Sequence, residues 1–257
     1  MHDDLTQEPQ WTDVITPRGS AFDFKLGELW RYRDLIYLFV HRDFVSQYKQ
    51  TILGPAWHVI QPLFTTIIFT IVFGRIARIP TDGAPPFLFY MAGTVIWSYF
   101  ALVLTNTSNT FTGNADIFGK VYFPRLVVPV ATLLSGLIAF SIPFLFFLCF
   151  LVYFLLKGSK IDPNLWVLAT PLLLLMMALL GLGMGIIVSA LTTRYRDLVI
   201  VVGFGVQLLM FVSPVVYPLS VLPDKWQFWA SLNPIAPIIE LFRYAYLGSG
   251  SINIPLL

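Results

Sequence analysis

The sequence is poor in charged residues. Only 12% of its 257 residues are Asp, Glu, Lys or Arg, whereas 57% are hydrophobic, and a soluble globular domain carries about a quarter charged residues. This imbalance excludes an ordinary soluble protein and predicts an integral membrane protein, built from spans of roughly twenty residues. The chain also has no basic cluster of the kind that binds nucleic acid, so we expect no nucleic-acid partner.

Cysteine and histidine are scarce as well. The single cysteine, Cys149, lies inside an apolar run and has no partner for an intrachain disulfide. The three histidines, His2, His41 and His58, are scattered and do not have the spacing of metal ligands. We therefore expect neither a disulfide nor a metal site.

Motifs for catalysis and for energy coupling are absent. The chain contains no GxxxxGK[ST] nucleotide-binding loop, no GxSxG motif and no HExxH motif. Its apolar runs contain almost no ionisable residues, which argues against a carrier driven by protons or sodium ions, because such carriers keep charged groups at membrane depth. These absences predict a chain without a catalytic site of its own, and a transport role would require energy from another chain.

The most informative stretch that is present is amphipathic. Residues 25–50 predict a helix at the membrane surface, with Arg31, Arg42 and Lys49 in one row. Leu38 and Val45 lie among these charges, where they are available to contact a second protein. The Gly54-Pro55 pair ends the helix. Residues 1–24, rich in acids and proline, predict a mobile cytosolic tail.

Five membrane spans are predicted after this helix, at about 56–76, 87–107, 127–156, 165–191 and 198–217. The third is longer than a bilayer needs, and Pro129 and Pro143 are able to kink it. Three glycines in the fourth favour close packing of a neighbouring helix: Gly181, Gly183 and Gly185.

Residues 218–247 predict two short helices joined at Asn233-Pro234, neither of them long enough to span a membrane. The first carries Trp226 and Trp229, which favour the membrane interface. The second carries Glu240 and Arg243, whose i, i+3 spacing allows an ion pair. The pair of helices is expected to form either a re-entrant or a surface hairpin.

The loops predict the orientation. With the N-terminus inside, ten Lys and Arg residues fall on the inner side and six on the outer side, which favours this arrangement by the positive-inside rule. The hairpin at 218–247 then lies outside.

Five segments carry a resemblance to a known family: LWRYRDLIYLFVHRDFVSQYKQTILGPAWHVIQPL, KVYFPRLVVPVATLLSG, SALTTRYRD, SPVVYPLSVLP and LNPIAPIIELFR. In this order they resemble the permease subunit of bacterial type 2 ABC exporters for O-antigen, teichoic acid and capsular polysaccharide, and the O-antigen branch most. The resemblance implies an all-α permease of six spans in the inner membrane, acting as a homodimer. It also implies two ATPase subunits that bind ATP and magnesium, and a polysaccharide on undecaprenyl diphosphate as substrate.

The resemblance also implies roles by position. Contacts with the ATPase are expected from the surface helix and two cytosolic loops, at Arg31, Leu38, Arg42, Val45, Asp116, Lys120, Arg194 and Arg196. The lipid diphosphate is expected near Lys49, Leu53, Gly54 and Arg125. Channel aromatics are expected at Phe69, Phe73, Phe211 and Tyr217. An external gate is expected at Trp226, Trp229, Glu240 and Arg243.

One departure concerns the family's sixth span, which has no counterpart here. Residues 248–257 are expected to begin the connection to that span in a longer protein, the alternative being a permease that lacks it. Three functional alternatives also remain at this stage. The same fold serves teichoic acid or capsule export, or export of another lipid or drug. A membrane glycosyl- or lipid-transferase is the remote third, because the acidic loop residues occur singly.

Overall fold

The computed structural model describes residues 26–49, 54–121, 123–192, 195 and 197–250. All regular structure in these residues is helical, which confirms the predicted fold class. The predicted tail at 1–24 lies outside the described residues, as do residues 251–257 of the connection. Three predicted site residues, Leu53, Arg194 and Arg196, lie outside them too.

The helices follow one another along the chain and are joined mostly by short loops. They are α1 Leu26–Arg31, α2 Arg33–Tyr48, α3 Trp57–Phe69, α4 Pro86–Ser108, α5 Thr110–Gly113, α6 Ala115–Phe118, α7 Val127–Leu156, α8 Thr170–Thr192, α9 Leu198–Val212, α10 Asp224–Ser231 and α11 Ile235–Leu247. A π-helical segment, Thr70–Ile76, continues α3, and a 3-10 turn, Leu165–Ala169, precedes α8.

Helix α4 forms the centre of the bundle. Residues 88–97 are buried without interruption, as expected of a helix that is apolar on all sides. It packs against α3, α7, α8, α9 and α11. Two glycines of α8 allow the closest approach, because a Cβ on Gly181 would lie 3.0 Å from Val103 and one on Gly185 only 2.6 Å from Thr107. Gly183, by contrast, faces open space.

Within the part of the chain that the structure describes, four helical stretches are long and apolar enough to cross a membrane: Trp57–Ile76, Pro86–Ser108, Val127–Leu156 and Leu165–Thr192. The predicted fifth span, 198–217, is a shorter helix that ends at Val212. Its 15 residues cover about 22 Å at 1.5 Å per residue, less than the roughly 30 Å of a bilayer core. The helix ends there because Ser213 precedes Pro214 and takes an extended conformation.

The two arms of the predicted hairpin have different environments. Helix α10 is largely exposed, whereas nearly every residue of α11 is buried. Helix α11 packs against α4, α8 and the 3-10 turn, and its Phe242 and Tyr246 contact Phe147 of α7. Helix α11 is therefore enclosed by the bundle, whereas α10 lies at its surface. The position of the hairpin relative to the membrane, re-entrant or at the surface, stays a prediction.

Candidate functional site

At one end of the bundle, α1 and α2, here called the interface helix, pack on residues 113–124, here called the coupling loop. Phe39 of α2 lies in a buried cluster with Phe123 and Val127, and the rings of Phe39 and Phe123 are 5.7 Å apart. The apolar side of the amphipathic stretch is thus covered by the coupling loop and the start of α7.

Arg42 connects the interface helix to the coupling loop. Its Nη1 donates to Oδ1 of Asn114 over 3.2 Å, and its Nε and Nη2 donate to Oδ1 of Asp43. The guanidinium also lies 4.6 Å from the centre of the Phe39 ring. Asn114 was missed in the sequence, where its only signal was the polar run that follows the second span.

An open groove of about 420 Å³ lies beside this contact. It is lined by Leu35, Leu38, Phe39, Arg42, Ile117, Val121 and Phe123, and its walls are almost entirely apolar. Leu38 is 59% exposed, and Val45 is also exposed. Arg31, Asp116 and Lys120 are exposed at the surface as well. The structure therefore leaves these predicted contact residues accessible to another protein.

Three described residues were predicted to meet the lipid diphosphate: Lys49, Gly54 and Arg125. Lys49 and Arg125 are both exposed, at the end of α2 and just before α7. Gly54 has φ of 46°, a backbone conformation that residues with a Cβ rarely adopt. A glycine is therefore needed where the interface helix turns toward the first span.

Three of the four predicted channel aromatics come together. The Phe69 ring centre lies 5.4 Å from that of Phe73 and 6.5 Å from that of Phe211. Tyr90 of α4, which sequence reasoning missed, completes this aromatic cluster at 6.3 Å from Phe69. Tyr217 has a different environment, in the turn after α9, where its hydroxyl donates to the Val212 carbonyl. The cluster joins α3, α4 and α9 and is open on the side of the exposed Phe211.

Trp226 and Trp229 are exposed on α10, whereas the charged pair of the neighbouring helix α11 is buried. Arg243 is 1% exposed and Glu240 6%, and Nη1 of Arg243 lies 3.6 Å from Oε1 of Glu240. The spacing in the sequence predicted this ion pair, but not its burial.

Arg243 also contacts the turn after α9. Its Nη1 donates to the Pro214 carbonyl over 2.6 Å and its Nη2 to the Val215 carbonyl over 2.5 Å. The guanidinium lies 3.7 Å from the centre of the Phe89 ring on α4. These contacts of Arg243 with Pro214, Val215 and Phe89 are called the Arg243 clamp below.

The sequence profile described as ABC-2 type transporter matches residues 34–247, which is most of the chain and all the helices from α2 to α11. The chain belongs to the ABC-2 type transporter family. This membership confirms the prediction of a membrane permease. It also implies an ABC transporter, in which an ATPase partner works with the permease. The alternative of a membrane transferase is thereby set aside.

Several known permeases are similar to this ABC-2 permease. The O-antigen export system permease protein RfbA of Klebsiella pneumoniae is 30% identical over 230 residues, which cover 90% of this chain and 85% of the relative. The inner membrane transport permease YadH of Escherichia coli K12 is 27% identical, over 74% and 75% of the two chains. The polysialic acid transport protein KpsM of E. coli is 21% identical, over 80% and 78%.

Proposed function

We propose that this ABC-2 permease is the membrane conduit of an exporter for lipid-linked polysaccharide, with O-antigen as the first candidate. It would act as a homodimer with two ATPase subunits, which bind ATP and magnesium, and its substrate would be a glycan on undecaprenyl diphosphate. The names of the RfbA relatives, O-antigen export permeases, support O-antigen. The name of KpsM supports capsular polysaccharide as the second candidate.

The observation that carries the coupling to an ATPase is the contact between Arg42 and Asn114. This hydrogen bond joins the interface helix to the coupling loop, so that the two would move together. An exposed apolar groove lies beside the contact. The two joined elements share a buried cluster with the start of α7, so a push from the ATPase would reach the bundle through packed side chains. This assignment places the N-terminal end of the interface helix in the cytosol, as the loop charges predict.

One side of α9 is suited to contact a second copy of this permease at the centre of the transporter. Its exposed residues Ile200, Phe204, Leu208 and Phe211 recur at helical spacing and so form one apolar side. We therefore place the conduit between α3 and α9, near the dimer axis.

Aromatic side chains suit a conduit for sugars. The C–H faces of sugar rings stack on aromatic rings, and such stacking lets many identical units slide past without one tight site. Phe211 is exposed beside the buried Phe69, so the aromatic cluster offers a ring at the edge of the proposed conduit. Lys49 and Arg125 would donate charge-assisted hydrogen bonds to the diphosphate at the cytosolic surface.

Gene deletion tests this function. We expect loss of the surface glycan and accumulation of its lipid-linked precursor, both restored by the wild-type gene. A gene with Phe69→Ala and Phe211→Ala should restore the permease in the membrane but export less glycan. Unchanged surface glycan after deletion would contradict the proposal and favour a lipid or drug substrate for the same fold.

A further inference from the structure

Arg243 is a charged residue in a place that needs an explanation. Its side chain is almost completely buried, and a buried charge is costly unless it is paired and hydrogen-bonded. Glu240 supplies the opposite charge at 3.6 Å. The carbonyls of Pro214 and Val215 accept from its two terminal nitrogens. These partners offset the cost of burying the charge, and through them Arg243 connects two parts of the chain that are distant in sequence.

The two carbonyls lie just beyond α9, where the chain turns. Carbonyl groups at the end of a helix lack partners within the helix, and Pro214 has no N–H with which to continue it. The two nitrogens of one guanidinium diverge at a fixed angle and so reach one carbonyl each. Arg243 thus completes the hydrogen bonding of the turn that ends the short helix α9.

Helix α4 leaves space for the same guanidinium. A Cβ on Gly93 would lie 2.5 Å from Nη2 of Arg243 and 2.8 Å from the Val215 carbonyl oxygen. Any residue other than glycine would therefore displace the arginine or the turn. The Phe89 ring, one turn earlier on α4, packs against the guanidinium.

Two further hydrogen bonds join the same turn to α11 and to the turn that precedes α11. Nδ2 of Asn233 donates to Oγ of Ser213 over 2.9 Å, and the Leu219 amide donates to Oε1 of Glu240 over 3.3 Å. Residues 213–219 are therefore attached to α11 and its preceding turn at three places. Phe211 lies just before this segment and Tyr217 lies within it.

We propose that Arg243 is a positioning residue for transport, which fastens the end of α9 to α11 and α4 so that they move as one rigid unit. The inference rests on the proposed function, because it concerns how the conduit beside α9 opens. The conduit then widens between α3 and this unit, and α9 does not withdraw from α11 of its own protomer. Arg243 acts through Phe211 and Tyr217, whose positions it holds, and does not itself contact the glycan.

The first test uses the complete permease–ATPase complex in vesicles, supplied with the lipid-linked glycan that accumulates in the deletion strain. We measure glycan moved per ATP hydrolysed for Arg243→Met and Arg243→Lys. Arg243→Met should lower this ratio at least about tenfold, the size of an ordinary coupling between two sites, while ATP hydrolysis continues. Arg243→Lys should give an intermediate ratio, because one ammonium replaces a two-pronged donor.

A purely structural role would give a different result. Export and hydrolysis would then decline together, in proportion to the amount of assembled complex, and the ratio would stay at the wild-type value. That outcome would overturn the inference. Failure of the wild-type complex to move the glycan would instead contradict the proposed function, so the two failures are distinguishable.

The second test covers the case in which the Arg243 variants do not assemble. In a Cys149→Ser background, which removes the single native cysteine, Ser213→Cys and Asn233→Cys place two thiols where the two side chains now share a hydrogen bond. Oxidation should join them and leave export within about twofold of the reduced complex, a difference too small to count as coupling.

The matched control joins Phe69→Cys to Phe211→Cys across the proposed conduit, and this bond should block export. Blocked export with the 213–233 bond would overturn the inference, because α9 and α11 would then have to separate. Failure of that pair to oxidise would overturn it as well, since the two segments would not stay together in the assembled complex.

Discussion

The interface helix and α11 both bury an apolar face, but they are held in very different ways. The interface helix rests on one side against a small cluster around Phe39 and Phe123, and a side-chain hydrogen bond from Arg42 to Asn114 ties it to the coupling loop. Helix α11 is surrounded by the bundle and is bonded to the turn after α9 and to the loop before α8. The interface helix is therefore accessible to a partner, whereas α11 is held firmly within the bundle.

The attachment of α11 extends to its last turn. The amides of Asp162 and Asn164 donate to the carbonyls of Leu247 and Ala245, and Nδ2 of Asn164 donates to the Tyr244 carbonyl. Carbonyls at a helix end otherwise lack partners, so the loop before α8 takes the place of a further helical turn. An ATPase acting on the interface helix would therefore move a lightly attached element, whereas α11 would keep its position in the bundle.

Among the contacts of α11 and the interface helix, the strongest expected effect concerns the space beneath the Arg243 clamp. Gly93→Ala adds a methyl group 2.5 Å from the guanidinium, and we expect it to destabilise the permease by about 3 kcal/mol, through overpacking and disrupted buried hydrogen bonds. The measurement is the apparent melting temperature of the detergent-purified complex. Gly183→Ala is the matched control, because its methyl group meets open space and should leave the melting temperature unchanged or raise it. Equal behaviour of the two variants would show that the clamp does not occupy this space.

A weaker effect is expected at the interface helix. Arg42→Ala removes the tie to Asn114, and we expect a loss of only about 1 kcal/mol in stability, because the side chain is partly exposed. Glycan moved per ATP hydrolysed should nevertheless fall about fivefold, since the interface helix and coupling loop no longer move together.

The control for Arg42 is Arg33→Ala, which removes an exposed pair with Asp34 at 3.8 Å and should change neither quantity. If the two arginine variants lowered the transport ratio equally, the decline would reflect lost surface charge, and the tie to Asn114 would have no part in coupling.

Local patterns predicted much of this architecture. The apolar runs located the spans, since a membrane helix needs about twenty apolar residues in a row, and the i, i+3 spacing predicted that Glu240 and Arg243 would pair. The fifth span was predicted too long because the apolar run continues through Val215 and Val216. Apolarity does not distinguish a helix from a buried turn, and Pro214 was the better signal.

Contacts between distant segments were beyond such patterns. Nothing near Gly93 in the sequence indicates that an arginine 150 positions later would fill the space above it. Similarly, Tyr90 belongs to the cluster of Phe69 and Phe211 only because α4 packs against both α3 and α9. Asn114 was one of several polar residues in its run until the structure paired it with Arg42. The roles of these residues in transport stay predictions until the variants are measured.

The smallest expected effect concerns α10, the exposed arm of the hairpin, which is compared here with a buried tryptophan of the core. Trp226 on α10 is 64% exposed and Trp97 on α4 is 5% exposed, so the same substitution to alanine tests two environments. Trp97→Ala should destabilise the purified complex by about 3–5 kcal/mol, as expected of a large buried ring. Trp226→Ala should change its stability by no more than about 0.5 kcal/mol, as is usual for exposed positions. A comparable fall in melting temperature for both variants would mean that α10 is packed in the assembled transporter as firmly as the core. The exposed position of α10 would then not describe the assembled transporter.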